Sequence, residues 1–184
     1  MGKGDVDKKM RCFIGIPLLN KTQEEIYDIY PKIKNIRFTK KENLHITVKF
    51  LGEIKEEKIE DIKKIIKDCC FDIKKFQISC NRLSSFPSLT SARIIWVNIV
   101  EGAKIIEKIY NRLEDKLLQI GFEKEKRKYI PHITIARTKI LVAITDYLNK
   151  FEINSKAESI VLFKSDLAPQ GPFYTKIFEY NFEG

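Results

Sequence analysis

Histidine, cysteine and long apolar runs are scarce in this sequence, and each scarcity excludes a class of protein. Among 184 residues there are two histidines and four cysteines. The cysteines, Cys12, Cys69, Cys70 and Cys80, show no Cys-x-x-Cys spacing, so a structural zinc site is not expected. We predict that all four are reduced residues in or near the core of a cytoplasmic protein.

Membrane spans and export signals are also missing from the pattern. No apolar run approaches the roughly 20 residues of a transmembrane helix, and no signal-peptide pattern opens the chain. Residues 1–10 are rich in Gly, Lys and Asp, and we interpret them as a flexible leader. Residues 11–184 are expected to form one domain, because a chain that is 43% hydrophobic and 32% charged can bury a proper core.

The charge of the chain is strongly positive. Its 34 Lys and Arg residues exceed its 25 Asp and Glu residues, which leaves a formal net charge of +9. Such an excess favours a polyanionic partner, with nucleic acid ahead of an acidic membrane surface. The alternative is that Lys and Glu side chains simply solvate helix faces, and the charge alone does not decide between the two.

Both histidines occur in the same local pattern, His-Ile-Thr-aliphatic, within a β-branched run. Side chains alternate between the two faces of a strand, so His45 and Thr47 are expected on one face, and His132 and Thr134 likewise. If the two polar faces meet, the site holds two groups that titrate near neutral pH and two hydroxyl donors. These groups suit acid–base chemistry on an anion.

The order strand, helix, His strand, helix, strand occurs twice along the chain. We therefore predict an α+β fold with two pseudo-symmetric lobes, built from approximately residues 11–86 and 91–182, and an active-site cleft between them. Each lobe is expected to carry a β-sheet with outer helices. The periodicity predicts helices near residues 22–33, 56–68, 104–120 and 142–150. Strands are predicted near residues 11–16, 76–86, 92–100, 159–165 and 173–182.

Three residues beyond the His-Thr pairs are ambiguous. Phe50 and Arg137 each lie five positions after a histidine, so strict alternation would turn them away from the polar face. Either the strands bend there or these two residues are structural. Lys49 is four positions after His45, so alternation puts it on the same face, where its charge could attract a phosphate. A solvated lysine is an equally good interpretation.

The two motifs, His45-Ile46-Thr47-Val48-Lys49-Phe50 and His132-Ile133-Thr134-Ile135-Ala136-Arg137, resemble those of the 2H phosphoesterase family. With the strand Arg11–Ile16, they look most like the RNA 2′,3′-cyclic phosphodiesterase branch, also described as 2′-5′ RNA ligase-like. The resemblance covers essentially the whole chain after Met10.

The resemblance implies hydrolysis of an RNA or nucleoside 2′,3′-cyclic phosphate to a 2′-phosphate, with no metal and no cofactor. It implies that Phe50 and Arg137 bind substrate beside the base and the phosphate. The implied catalytic residues are His45, His132, Thr47 and Thr134. We assign His132 as base and His45 as acid, although the sequence does not determine this polarity, and we expect a bell-shaped pH profile near neutrality.

Other functions remain open at this point. A related enzyme acting on 2′-5′ oligoadenylate or ADP-ribose cyclic phosphate would share the motifs, and a non-catalytic RNA- or nucleotide-binding module could use the same cleft. The reverse reaction, 2′-5′ ligation, is also compatible with the motifs. The expected partners are RNA or nucleotides with 2′,3′-cyclic phosphate ends, including tRNA halves, and we expect a monomer without membrane association.

Overall fold

A computed structural model describes residues 9–169 and 171–184 of the chain. The described residues form three α-helices and nine β-strands. The helices are α1 (Asn20–Asp28), α2 (Ile59–Cys70) and α3 (Ala103–Leu118). The strands are β1 (Lys9–Pro17), β2 (Arg37–Phe38), β3 (His45–Lys55), β4 (Phe76–Phe86), β5 (Ala92–Ile99), β6 (His132–Val142), β7 (Ile153–Ala157), β8 (Ser159–Ala168) and β9 (Gly171–Asn181).

All nine strands belong to one antiparallel sheet. Its order is β7-β4-β5-β6-β3-β1-β8-β9, and β2 pairs with β6. In the described chain, β3 and β6 are joined by the pair Ile46–Ile133, whereas the neighbouring strands pair over longer stretches. This narrow seam divides the sheet into two lobes, so the prediction of a two-lobed α+β fold is confirmed.

The strands are distributed differently from the predicted halves 11–86 and 91–182. The fourth strand, β4, pairs with β5 and β7 in the second lobe, whereas β8 pairs with β1 in the first lobe and β9 pairs with β8. The β4–β5 and β8–β9 connections are short, and consecutive antiparallel strands pair readily across short connections. Each half of the chain therefore contributes strands to the lobe of the other half.

The helices cover the apolar face of the sheet. Helix α2 packs against α3, and α3 also contacts β3. Both helices bury an apolar stripe at helical spacing, and the smaller α1 lies against β7, where Thr22 donates to Ser155 across 2.7 Å. Each large aliphatic side chain buried in this core contributes about 1.5–3 kcal/mol relative to exposure. The opposite face of the seam is left open to solvent.

One predicted helix is wrong. Residues 142–150 contain only a 3₁₀ turn at Thr145–Tyr147, and β6 continues to Val142, which pairs with Ala92. The Ile144 N–H donates to the Leu89 carbonyl across 2.8 Å, so pairing with distant residues outweighs the local helical spacing here. Strand β7 was not predicted, and it pairs with β4.

The four cysteines are buried and not paired in disulfides. Burial raises the pKa of the Cys12 thiol to about 11 and that of Cys80 to about 12. Residues 1–8 of the predicted leader lie outside the described residues, while Lys9 and Met10 are the first residues of β1. Within the described ranges, no helix has the length and apolar character required to cross a membrane.

Candidate active site

The seam between β3 and β6 brings the two histidine motifs together. Ile46 and Ile133 are directly opposite each other and fully buried on the core face. In an antiparallel register, this pairing puts position 45 opposite 134 and position 47 opposite 132, all on the other face of the sheet. His45, Thr47, His132 and Thr134 thus meet at one open face by the geometry of a single strand pair.

A β-bulge follows the threonine in both motifs. In β3, Thr47 pairs with Gly15 and Lys49 with Ile14, which leaves Val48 as an extra residue. In β6, Thr134 pairs with Trp96 and Ala136 with Ile95, so Ile135 is the extra residue at the equivalent position. Each bulge makes two consecutive residues face the core and resets the alternation by one position.

The reset decides the orientation of the two ambiguous residues. After their bulges, Phe50 and Arg137 return to the face of the histidines, and both line the cavity there. Of the two alternatives that the sequence left open, the structure shows the first: both strands bend after the threonine. The same bulge turns Lys49 into the core, where its side chain is 3% exposed and forms an ion pair with Glu114 of α3. Lys49 neither reaches the cleft nor is solvated.

Each histidine ring is held by the backbone carbonyl two residues before it. Nδ1 of His45 is 2.7 Å from the Asn43 carbonyl, and Nδ1 of His132 is 2.6 Å from the Ile130 carbonyl. A carbonyl only accepts, so Nδ1 carries the proton in both rings and Nε2 carries the lone pair of each neutral ring. In neutral His45 this nitrogen accepts from the Thr47 hydroxyl at 2.9 Å.

Aromatic rings surround both imidazoles. The His45 ring is 4.7 Å from Phe13 and 5.2 Å from Tyr174, while His132 is 5.4 Å from Trp96 and 5.8 Å from Phe86. Burial lowers the pKa of His45 to about 4, against a smaller opposing effect of its bond to Asn43. Burial likewise lowers the pKa of His132. Both shifts favour the neutral imidazole in the free protein.

A cavity of about 480 Å³ lies on this face. Five of the six residues predicted for the site line it, namely His45, Thr47, Phe50, Thr134 and Arg137. The ring of His132 lies beside the cavity, against Trp96 and Phe86, rather than in its lining.

Among the other residues that line the cavity, two carry polar groups that interact with Arg137. Arg11 and Tyr174 come from β1 and β9, and both interact electrostatically with Arg137. Burial lowers the pKa of the Arg137 guanidinium; the charge of Arg11 lowers it further, whereas Tyr174 opposes the shift. Arg11 was known only as part of a predicted strand, and no sequence signal distinguished Tyr174, because β9 reaches the cleft through long-range pairing.

The loop before the second motif, residues 123–129, makes contacts with α3 and with the first motif. Lys124 pairs with Asp115 at 2.6 Å, whereas Lys126, Arg127 and Lys128 are exposed. Tyr129 donates its hydroxyl proton to the Thr47 carbonyl at 2.8 Å and stacks on Tyr110 with ring centroids 4.1 Å apart. The loop thus contacts the first motif directly. In the part of the chain that the structure describes, no group of three or more His, Cys, Asp and Glu side chains is arranged to hold a metal.

Sequence comparison identifies one family. The model described as LigT like Phosphoesterase matches residues 16–96 and 98–174. A protein of Methanocaldococcus jannaschii named RNA 2′,3′-cyclic phosphodiesterase is 36% identical over 180 residues, covering 93% of this chain and 100% of that protein. A protein of Archaeoglobus fulgidus with the same name is 29% identical and covers 92% and 100% of the two chains.

Solved structures share the fold. TT0787 of Thermus thermophilus superposes with a TM-score of 0.82 at 21% identity, over 95% of this chain and 99% of that chain. The structure of E. coli LigT complexed with 3′-AMP superposes with a TM-score of 0.80 at 23% identity, with the same coverage. At these identities the likeness concerns the two-lobed architecture.

Proposed function

The chain belongs to the LigT-like phosphoesterase family, and on that basis we propose that it hydrolyses RNA or nucleoside 2′,3′-cyclic phosphates to 2′-phosphates. The relatives named RNA 2′,3′-cyclic phosphodiesterase support this substrate class. The observation that carries the proposal is the seam: two His-Thr pairs on one open face, each presenting Nε2 of an imidazole and a hydroxyl.

The reaction requires a base and an acid on opposite sides of phosphorus. Nε2 of one histidine removes a proton from water, the water oxygen bonds to phosphorus, and the bond from phosphorus to O3′ breaks. Nε2–H of the other histidine then protonates O3′, and the product retains its phosphate on O2′. Thr47 and Thr134 donate hydrogen bonds to the non-bridging oxygens as charge develops there. This scheme uses no metal and no cofactor.

We assign His132 as the base and His45 as the acid. The Nε2 lone pair of His132 has no hydrogen-bond partner among the described residues, so it is available to a water. His45 must then be protonated in the complex, although burial lowers its pKa to about 4 in the free protein. An anionic phosphate beside Nε2 raises that pKa, because an opposite charge stabilises the imidazolium.

The pH profile follows from these shifts. The state with one neutral and one protonated histidine is most populated between their two pKa values, and burial lowers both from 6.5. The maximum of kcat/KM, which reports the free enzyme, therefore lies on the acid side of 6.5 rather than near neutrality. The profile of kcat shifts to higher pH, because bound phosphate raises the pKa of the acid.

Phe50 and Arg137 provide the binding surface in this proposal. The Phe50 ring is 51% exposed in the cavity wall, so a nucleobase can stack on it and cover apolar surface. The guanidinium of Arg137 can bind phosphate oxygens. We propose that the substrates include RNA ends such as those of tRNA halves. We further propose a cytoplasmic monomer that also catalyses the reverse 2′-5′ ligation.

The test is turnover of a 2′,3′-cyclic nucleotide in EDTA, with the phosphate position of the product read by chromatography. We expect chelator-insensitive release of the 2′-phosphate, reduced by about 10²–10⁴-fold in His45→Ala and in His132→Ala. Lys64→Gln, an exposed charge change on α2, serves as the control and should retain full activity. Wild-type protein that turns over neither cyclic nucleotides nor RNA with cyclic ends would refute the proposal.

The polarity has a separate test. Replacing O3′ of the substrate by sulfur gives a leaving group that needs little protonation. Such a substrate should restore turnover to His45→Ala but not to His132→Ala. Restoration in His132→Ala alone would reverse the assignment.

A further inference from the structure

A second, smaller pocket of about 130 Å³ opens beside the catalytic cavity. The two share Thr39, Arg137, Pro172 and Tyr174, so they form one continuous depression. The smaller pocket adds residues from β2, from the segment that follows it and from the start of β9. The polar side chains that it adds are those of Arg37, Lys40 and Asn43.

Positive charge is concentrated in this pocket. Arg37 of β2 is directly opposite Arg137 of β6, and like charges in that position destabilise a strand pair. Lys40 follows three residues later and is exposed, as is Arg37. No carboxylate in residues 9–169 or 171–184 lies within 4.0 Å of the charged groups of Arg37, Lys40 or Arg137. A bound anion would relieve this repulsion.

Gly171 at the start of β9 lies against the Arg37 side chain. A Cβ at Gly171 would lie 2.7 Å from Nη2 of Arg37, and φ at this glycine is +124°, a conformation that other residues rarely adopt. The backbone at the start of β9 therefore packs closely against the guanidinium. Asn43 contacts the same segment, because its Nδ2 donates to the Pro172 carbonyl across 2.9 Å.

The pocket is also coupled to the catalytic site through Asn43. The carbonyl of this residue accepts the proton of His45 Nδ1, while its side chain fixes the wall of the smaller pocket. Arg137 lies in both pockets. An anion in the smaller pocket would thus be separated from the reacting phosphate only by the Arg137 side chain, which lines both pockets.

We propose that the pocket formed by Arg37, Lys40 and Arg137 binds the phosphodiester that precedes the terminal nucleotide of an RNA chain. The inference rests on the proposed function and extends it, since it makes an oligonucleotide with at least one internal phosphodiester the preferred substrate over a mononucleotide. A guanidinium is well suited to this role, because its planar donors match two phosphate oxygens.

The test is a binding measurement that does not depend on turnover. Calorimetry compares a mononucleotide 2′-phosphate, a dinucleotide with the same end, and that dinucleotide with an uncharged methylphosphonate linkage. We expect wild-type protein to bind the natural dinucleotide about tenfold more tightly than the methylphosphonate. In Arg37→Gln this difference should vanish while affinity for the mononucleotide is unchanged, and Lys64→Gln should behave as wild type.

Two results would overturn the inference. One is equal wild-type affinity for the charged and uncharged linkages. The other is an Arg37→Gln variant that weakens mononucleotide and dinucleotide binding by the same factor, which would make the residue a general structural element. Failure to hydrolyse any cyclic phosphate would refute the proposed function. The difference in affinity between the charged and the uncharged dinucleotide would still show whether the pocket binds a phosphodiester.

Discussion

The buried ion pair between Lys49 and Glu114 gives the sharpest stability prediction. Their side chains are 3% and 6% exposed, and the pair connects β3, the strand of the first histidine motif, to α3. Lys49 Nζ also donates to the Glu123 carbonyl at 2.9 Å, and Oε2 of Glu114 accepts from the Glu125 N–H at 2.9 Å. The pair therefore anchors the loop that leads to His132.

Glu114→Gln leaves the Lys49 ammonium buried without its counterion. Breaking a buried pair in this way costs about 3–5 kcal/mol. A domain of this size loses about 2–4 °C in Tm per kcal/mol, so we expect Tm to fall by about 6–20 °C. Replacing both partners, as Lys49→Met with Glu114→Leu, removes the uncompensated charge and should recover part of this loss. Recovery stays incomplete, because the Glu123 carbonyl and the Glu125 N–H lose their partners, and each lost hydrogen bond costs about 0.5–1.5 kcal/mol.

Thermal and urea denaturation of Lys49→Met, Glu114→Leu and the double variant, with Glu114→Gln beside them, measure the coupling. Glu25→Gln is the matched control, because Glu25 pairs with Lys21 at 3.7 Å on the surface and the pair is worth about 0.5 kcal/mol or less. A Glu114→Gln variant that loses under about 1 kcal/mol, or a double variant as unstable as the sum of its singles, would refute the reasoning.

Three further predictions concern the site. Lowering the pH from 6.5 to 4 should destabilise the protein, because the unfolded chain protonates His45 at its ordinary pKa while its pKa in the folded protein is about 4. Urea titrations should show a smaller loss of unfolding free energy in His45→Gln than in the wild type. An equal loss in both would exclude His45 as the source. Phe50→Leu should raise KM for cyclic nucleotides about tenfold with little change in kcat, and an unchanged KM would exclude stacking. Gly171→Ala should displace Arg37 and reduce the preference for the dinucleotide with a charged linkage, while affinity for the mononucleotide persists. The same calorimetry measures both affinities. A retained preference would show that phosphate binding by Arg37 does not depend on its contact with Gly171.

Strand alternation was sufficient to predict that each histidine shares a face with its threonine. It could not predict which strands meet, because the β3–β6 seam and the return of β8 and β9 to β1 depend on pairing between distant residues. Tyr174 and the aromatic neighbours of the histidines were missed for the same reason. The lowered pKa values of the two histidines follow from that packing, so they too were beyond the sequence.

The bulges explain why the remaining site residues were ambiguous. Both motifs insert one residue after the threonine, and both then turn two consecutive residues to the core. In the second motif those residues are Ile135 and Ala136, and two adjacent apolar residues before Arg137 are a readable sign of broken alternation. In the first motif the second core residue is Lys49, whose charge makes the strand look regular. Its counterion, Glu114, lies 65 positions further along the chain on α3, and strand alternation gives no information about contacts with a helix. The sequence therefore did not show that Lys49 is buried, nor that the two motifs contain the same bulge.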